Sequence, residues 1–282
     1  MSEGDPGCSP HGSGLPAPAW CDTHCHLDAE EFAGTQQEIL ARSRAAGVTG
    51  WIVPAVAAHN FDGVRALAHR TAGMGYALGI HPLCVGAASA EHIDLLEACL
   101  AEQRNDPLLL AVGEIGLDRY PGHPDFEQQN WFFVQQLRLA RRYDLPVIMH
   151  ARRAADQVHA GLRRFRVSRG IVHAFNGSAA QAEALIRQGM LLGFGGALSF
   201  EGSRQIRRLA AALPLQSLVL ETDAPDIRPQ WFGAGSDKPN EPAELARIGA
   251  LLARLRSIPE EDLRVALAGN LAQLFPAWTK NM

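Results

Sequence analysis

From Trp20 onward the chain alternates short apolar runs with longer amphipathic ones. The short runs are AWCDTH (19–24), WIVPAV (51–56), YALGIH (76–81), LLLAVGEIG (108–116), LPVIMH (145–150), GIVHAF (170–175), MLLGFGG (190–196) and SLVLETD (217–223). Each is bounded by Gly, Pro or polar residues, the pattern expected of strands buried on both faces. Between them, residues 36–47, 60–72, 90–104, 126–142, 178–188 and 201–213 place apolar side chains at three- and four-residue spacing, which predicts helices. Gly47 suits a helix stop, and Asn176-Gly-Ser178 offers capping side chains ahead of a helix. From Pro242 the pattern predicts two or three more helices, with ELARIGALLARL (244–255) the clearest.

Strands alternating with helices in this number fit a single (β/α)8 TIM barrel with extra C-terminal helices. An open doubly wound sheet fits the alternation equally well. The placement of polar residues favours the barrel. The first strand closes on Asp22-Thr-His24-Cys-His26, where alternation puts His24 and His26 on one face and Cys25 on the other. Other strands end at His81, Glu114, His150, His173 and Asp223. An unpartnered buried imidazole or carboxylate is costly, so one apolar strand ending this way needs a local reason and several need a shared one. Carboxyl ends of barrel strands converge on one mouth, and a metal cluster there accounts for all of them. The remaining histidines (His11, His59, His69, His92, His123, His159) fall in the leader, in loops or on helices and are expected to be solvated.

Imidazole and carboxylate ligands without thiolate suit Zn²⁺, Mn²⁺, Fe²⁺ or Ni²⁺, or Mg²⁺ with water completing its shell. The set exceeds one ion's needs, whereas two divalent ions about 3.5–4 Å apart, bridged by a carboxylate, would use it fully. Such a site activates water, and its chemistry is hydrolysis. Motifs of other chemistries are missing: there is no GxSxG elbow, P-loop, HExxH or GxGxxG after a strand. Cys25 and Cys84 lie near the expected site but read as packing residues.

Composition adds limits. The 282 residues carry a net charge of −4, which excludes a generic basic nucleic-acid coat but not a local basic patch. Five cysteines, scattered and without a CxxC pair, argue for a reducing compartment. No run approaches the ~20 apolar residues that span a membrane, and a soluble, cytoplasmic monomer is expected. Residues 1–18, rich in Gly, Pro and Ser, read as a flexible leader before one domain over 19–282.

The motifs DTHCHL (22–27), GEIGLD (113–118), HAFNGS (173–178) and ETDAP (221–225) occur in order, joined by Gly-Ile-His-Pro (79–82), Pro-Asn-Glu-Pro (239–242) and Asn270-Leu-Ala-Gln-Leu-Phe275. This set resembles the TatD family of metal-dependent deoxyribonucleases, which are amidohydrolase-like barrels, over about residues 20–276. The resemblance implies roles. His24, His26, Glu114 and Asp223 would bind a first metal, and Glu114 would bridge to a second completed by His150 and His173. Asp223 would take the proton from the attacking water, His81 would face the substrate phosphate, and Glu241 would be a carboxylate near the mouth. Lys238 and Lys280 are the only lysines and neither sits at a strand end, so relatives that bridge their metals with a carboxylated lysine are excluded. The sequence departs from common family patterns at His150-Ala-Arg152-Arg153 and at His173-Ala-Phe-Asn-Gly-Ser, where no ligand position changes.

The substrate expected from the resemblance is DNA, single-stranded or frayed, cut from a 3′ end. Arg119, Arg152, Arg153 and Arg228 follow strand ends where they can reach phosphates, and Tyr120, Phe175 and Trp231 share those loops and can stack bases. Two alternatives stay open: an amide or ester hydrolase of a small molecule using the same site, and a metal-binding scaffold without turnover.

Overall fold

The computed structural model describes residues 18–280, so the leader expected over 1–18 lies, but for its last residue, outside the described residues. All the predicted strands form: β1 (Trp20–Asp22), β2 (Val48–Pro54), β3 (Met74–Leu78), β4 (Leu109–Asp118), β5 (Val147–Arg152), β6 (Gly170–Val172), β7 (Met190–Phe194) and β8 (Leu218–Leu220). They make one eight-stranded sheet in chain order, and every adjacent pair is parallel. The ring closes just beyond the ends of β8 and β1, where the Thr23 N–H donates to Leu220 O at 3.1 Å and the Asp223 N–H to His24 O at 2.9 Å. A doubly wound sheet reverses strand order at a switch point and stays open; this one does neither. The fold is a (β/α)8 barrel.

Helices α1 (Gln36–Ala45), α2 (Phe61–His69), α3 (Ala90–Glu102) and α4 (Phe126–Tyr143) follow the first four strands. Then come α5 (Ala155–Phe165), α6 (Ala179–Arg187) and α7 (Arg204–Ala212). Gly47 takes a positive φ of 83° just past α1, and the Ser178 hydroxyl accepts the Gln181 N–H at 3.2 Å to cap α6. Helix α5 is the one that the apolar pattern does not predict. Its apolar stripe is narrow, with only Ala155, Val158 and Leu162 buried on it. The C-terminal segment supplies α8 (Leu245–Arg256), α9 (Glu260–Leu274) and α10 (Pro276–Thr279).

The barrel interior is apolar in its lower half. Ile52, Ala77, Ala111, Ile148, Ile171 and Val219 meet there and pack against Leu271 of α9, Trp278 of α10 and Phe275 between them. Trp278 is 2% exposed, and its ring lies so near the start of β3 that a Cβ on Gly75 would stand 3.3 Å from it. The last helices therefore plug the amino-terminal end of the barrel. Every polar side chain expected to carry chemistry lies toward the opposite end.

Candidate metal centre

The carboxyl ends of the strands bring six sequence-predicted residues into one cluster. His24 Nε2 is 3.3 Å from His26 Nε2, 3.2 Å from Glu114 Oε2 and 3.5 Å from Asp223 Oδ1. His26 Nε2 lies 3.8 Å from the same Glu114 oxygen and 3.7 Å from the same Asp223 oxygen. The other Glu114 oxygen, Oε1, faces a second group: His173 Nε2 at 2.8 Å and His150 Nδ1 at 3.2 Å, with those two nitrogens 3.2 Å apart. Glu114 thus turns one oxygen to each group. His81 joins the second side, with Nε2 3.3 Å from Glu114 Oε1.

Backbone geometry explains why these residue types meet. Strand β4 does not stop at Glu114, the end expected for it, but continues to Asp118, so Glu114 points inward from mid-strand. Gly116, at φ +148°, pairs with His150 across β4 and β5, and a Cβ there would overlap the His150 carbonyl oxygen. Only glycine allows that approach. Strand β3 ends at Leu78, ahead of His81, and β6 ends at Val172, which leaves His173 first in the loop.

The donor set fits divalent metal. Ligand atoms about 2.1 Å from a shared ion at a tetrahedral angle stand about 3.4 Å apart, close to the spacings in both groups. Two imidazole nitrogens facing one another satisfy each other only if one carries a proton, whereas a cation uses both lone pairs. Burial is nearly complete: His24 is 0% and Glu114 2% exposed. Burial pushes His24 down to about 3, with nearby His173 adding to the effect, so the ring is held neutral as a ligand must be. Burial works to raise Glu114, but the imidazoles of His173, His81 and His24 outweigh it and hold the carboxyl well below its ordinary value. Burial lifts Asp223 to about 7, with Glu114 and Asp226 adding to the rise. A cation beside Asp223 works against that rise, because positive charge favours the carboxylate.

Behind the cluster stand carboxylates whose roles the sequence did not disclose. Asp118 Oδ2 accepts from His150 Nε2 at 2.9 Å, which puts that ring's proton on Nε2 and turns the Nδ1 lone pair toward Glu114 and His173. Burial tends to lower His150, but Asp118 and Glu114 raise it to about 9, so without a cation the ring also carries a proton on Nδ1, which a metal ion bound there would displace. The other Asp118 oxygen accepts the Tyr120 N–H at 2.8 Å and lies 3.0 Å from His123 Nδ1. His123 was expected to be solvated; it leans inward on Asp118 instead. His69, similarly expected, is half-exposed and bonds Asp106 at 2.8 Å. Asp22 ties the ends of β1 and β8, accepting the Thr222 N–H at 2.9 Å and the His24 N–H at 3.3 Å. Glu221 is 1% exposed, accepts the Ala174 N–H, and is pushed by burial to about 8. Asp118, Asp22 and Glu221 lie inside quoted motifs, yet His150, Thr222 and Ala174, which they bond, are remote from them in sequence.

Cavities open on both sides of the cluster. One, of about 540 Å³, runs over β5–β8 past Phe175, Phe194 and Ile206, with Tyr120, Arg152 and Arg153 at its rim. The Arg152 and Arg153 guanidinium groups lie 4.0 and 5.1 Å from the Tyr120 ring centre. The other, of about 390 Å³, opens past His81 and Pro225 and is edged by Asp28, Glu31 and Asp226.

The remaining predicted contacts are used elsewhere. Arg119 lies over the Phe126 ring at 5.0 Å, and Arg228 bonds the Ser236 carbonyl. Phe175 is 3% exposed and packs edge-on to Phe194, so it walls the cavity and offers no open face. Trp231 donates to Glu244 at 2.7 Å beneath the Arg247 guanidinium. Glu241 forms a two-pronged pair with Arg42, both contacts 2.9 Å, and lines neither cavity. Cys25 is fully buried in the core; Cys84 lines the smaller cavity, and burial raises its thiol.

Comparison with known proteins shows the family and the fold. The family model described as TatD related DNase matches residues 21–276. An uncharacterized metal-dependent hydrolase, YjjV of Escherichia coli K12, is 42% identical over 255 residues, covering 90% of this chain and 96% of that protein. The crystal structure of a TatD homologue of that name from E. coli K12 superposes with a TM-score of 0.86 at 41% identity, covering 91% of this chain and 98% of the other. A protein named 3′-5′ ssDNA/RNA exonuclease TatD from Pantoea sp. At-9b is 32% identical over 259 residues, covering 90% of this chain and 98% of its own length. The chain belongs to the family of TatD-related DNases.

Proposed function

We propose that this protein is a metal-dependent hydrolase that uses two divalent ions to cleave phosphodiester bonds at the 3′ end of single-stranded or frayed DNA. The observation that carries the reading is Glu114, whose two oxygens each face a separate group of imidazole donors. His24, His26 and Asp223 would hold one ion with Glu114 Oε2, and His150 and His173 the other with Oε1. When bound, such ions lower the pKa of water and neutralise charge on a phosphate oxygen.

The chain's own residues supply the rest. Asp223, 14% exposed at its side chain, is open enough to accept the proton of an attacking water. His81 Nδ1 accepts the Leu83 N–H at 3.1 Å, which leaves its proton on Nε2, toward the cluster. His81 is therefore a donor to a phosphate oxygen. Arg152 and Arg153 enter no ion pair among the described residues, and their charges remain available to the flanking phosphates. The apolar wall of Phe175, Phe194 and Ile206 also suits the organic part of a small amide or ester, so both substrate classes belong in the test.

A 3′-labelled oligonucleotide incubated with Mg²⁺, Mn²⁺ or Zn²⁺ is expected to shorten one nucleotide at a time, and excess chelator to stop it. Asp223→Asn and Glu114→Gln should each reduce the rate at least about 100-fold, the scale of a lost acid–base group. Intact oligonucleotides with every metal, alongside turnover of an amide or ester panel, would transfer the site to the second substrate class. Equal cutting by both variants would remove these residues from the reaction.

A further inference from the structure

The two cavities that flank the cluster carry opposite charge. The larger is rimmed by Arg152 and Arg153. Among the described residues its only carboxylates, Glu221 and Asp223, belong to the cluster or lie buried behind it. The smaller is lined by no Lys or Arg among the described residues, and beyond the cluster it presents Asp28, Glu31 and Asp226. None of these three is in an ion pair with a cation among the described residues, and Asp28 spends one oxygen on the Asn60 amide at 2.7 Å. Two divalent ions would exceed the charge of Glu114 and Asp223 by two, a surplus that a bound phosphodiester and a metal-activated hydroxide would take up, so the three outer carboxylates keep their negative charge. The apolar surface between them comes from Val56, Leu83 and Pro225.

A scissile phosphodiester at the cluster has a substituent on each side. The polyanionic remainder of a strand is attracted to the arginine rim and repelled by the acidic cavity, since like charges placed together are strongly disfavoured. The acidic cavity, about 390 Å³, includes the space over the cluster, and its outer part past Val56, Leu83 and Pro225 is where a terminal nucleoside that brings no further phosphate would sit.

Resting on the proposed nuclease reading, we propose that Asp28, Glu31 and Asp226 form an end-selecting pocket. It receives the terminal nucleoside through an uncharged hydroxyl end, while Arg152, Arg153 and Tyr120 hold the strand that leads away. The charge division, and no reading of bases, makes the enzyme act at ends. A terminal phosphate blocks it, and so does any strand continuing through the acidic side.

The experiment compares one single-stranded oligonucleotide carrying a 3′-hydroxyl with the same strand carrying a 3′-phosphate, and with a circular strand of similar composition. Initial rates are measured at low and high salt with Mg²⁺ or Mn²⁺. The 3′-hydroxyl strand should be cut at least about tenfold faster in kcat/KM than the 3′-phosphate strand, and the circle should persist. Added salt should narrow the ratio, because screening weakens repulsion between exposed charges. Glu31→Gln combined with Asp226→Asn should narrow it as well, by admitting the phosphorylated end. Equal rates on both ends, or ready cutting of the circle, overturn the end-selecting pocket and leave the nuclease reading standing. A ratio untouched by the double variant overturns the assignment of these carboxylates. Failure to cut any strand removes the nuclease reading and this inference with it.

Discussion

The most direct probe of the centre leaves every proposed ligand in place. In Asp118→Asn the oxygen that accepts the Tyr120 N–H can remain, while an amide NH₂ replaces the oxygen 2.9 Å from His150 Nε2. An amide nitrogen only donates. To accept from it, His150 must move its proton to Nδ1, the atom 3.2 Å from both Glu114 Oε1 and His173 Nε2. The lone pair is then lost on the side where an ion would bind. Removing a carboxylate that orients a ligating imidazole typically costs 10–100-fold in metal affinity, or about 1.4–2.7 kcal/mol at 1.36 kcal/mol per tenfold. A hydrogen bond to a charged group contributes about 1.5–3 kcal/mol, so the two scales agree. Competition between the protein and a chromogenic chelator for Mn²⁺ or Zn²⁺ reads the loss directly. An ion on the His150–His173 side should weaken by that factor, while an ion on the His24–His26 side should hold nearly as in the wild type. Unchanged affinity at both sites would refute the reasoning, because neither the tautomer nor His150 would then matter to binding.

Two further predictions concern the scaffold. Trp278→Ala should lower stability by about 3–5 kcal/mol, the range for truncating a buried aromatic, seen as a lower urea midpoint. Metal affinity of the folded variant should stay unchanged, since Trp278 plugs the end of the barrel opposite the centre. Asp106 gives a pH signature away from the metal: burial tends to raise it, but the Leu108 N–H, His69 and Tyr76 hydrogen bonds hold it below its ordinary value. A depressed carboxyl stabilises the fold above its unfolded pKa of about 3.9 and loses that contribution as pH falls through the lower folded value. Asp106→Asn should therefore be less stable than the wild type at neutral pH, and the gap in urea midpoint should close below about pH 4. A gap that is constant from pH 7 to 3 would show that Asp106 acts through shape and not charge.

What the sequence discloses and what it hides divide along a physical line. A ligand such as His24 or Asp223 is conspicuous because it ends an otherwise apolar strand, where a buried polar group without a partner is costly. Strand-end position marked seven such residues, His81 among them, and the resemblance to the TatD family separated the six proposed ligands from His81. Asp118 lies in the same motif as Glu114, but its part is defined by His150 on the next strand, 32 residues later. Its sequence context marks it as buried and says nothing of its partner. Glu241 shows the converse. It sits in a motif of its own, yet its carboxylate is taken by Arg42, 199 residues away. Arg119 and Arg228 were legible as cations near the mouth, but Arg119 lines neither cavity and lies over the Phe126 ring, and Arg228 is held by the Ser236 carbonyl. Arg152 and Arg153 stay at the cavity rim, and the partner they share is the Tyr120 ring. A cation over an aromatic face keeps its N–H groups free to donate. Tyr120 thus stations two charges at the rim without neutralising them, and that arrangement opposes the uncompensated Asp28, Glu31 and Asp226 across the cluster. Pattern alone identified the centre of the site; its polarity depends on which charges the fold leaves unpaired.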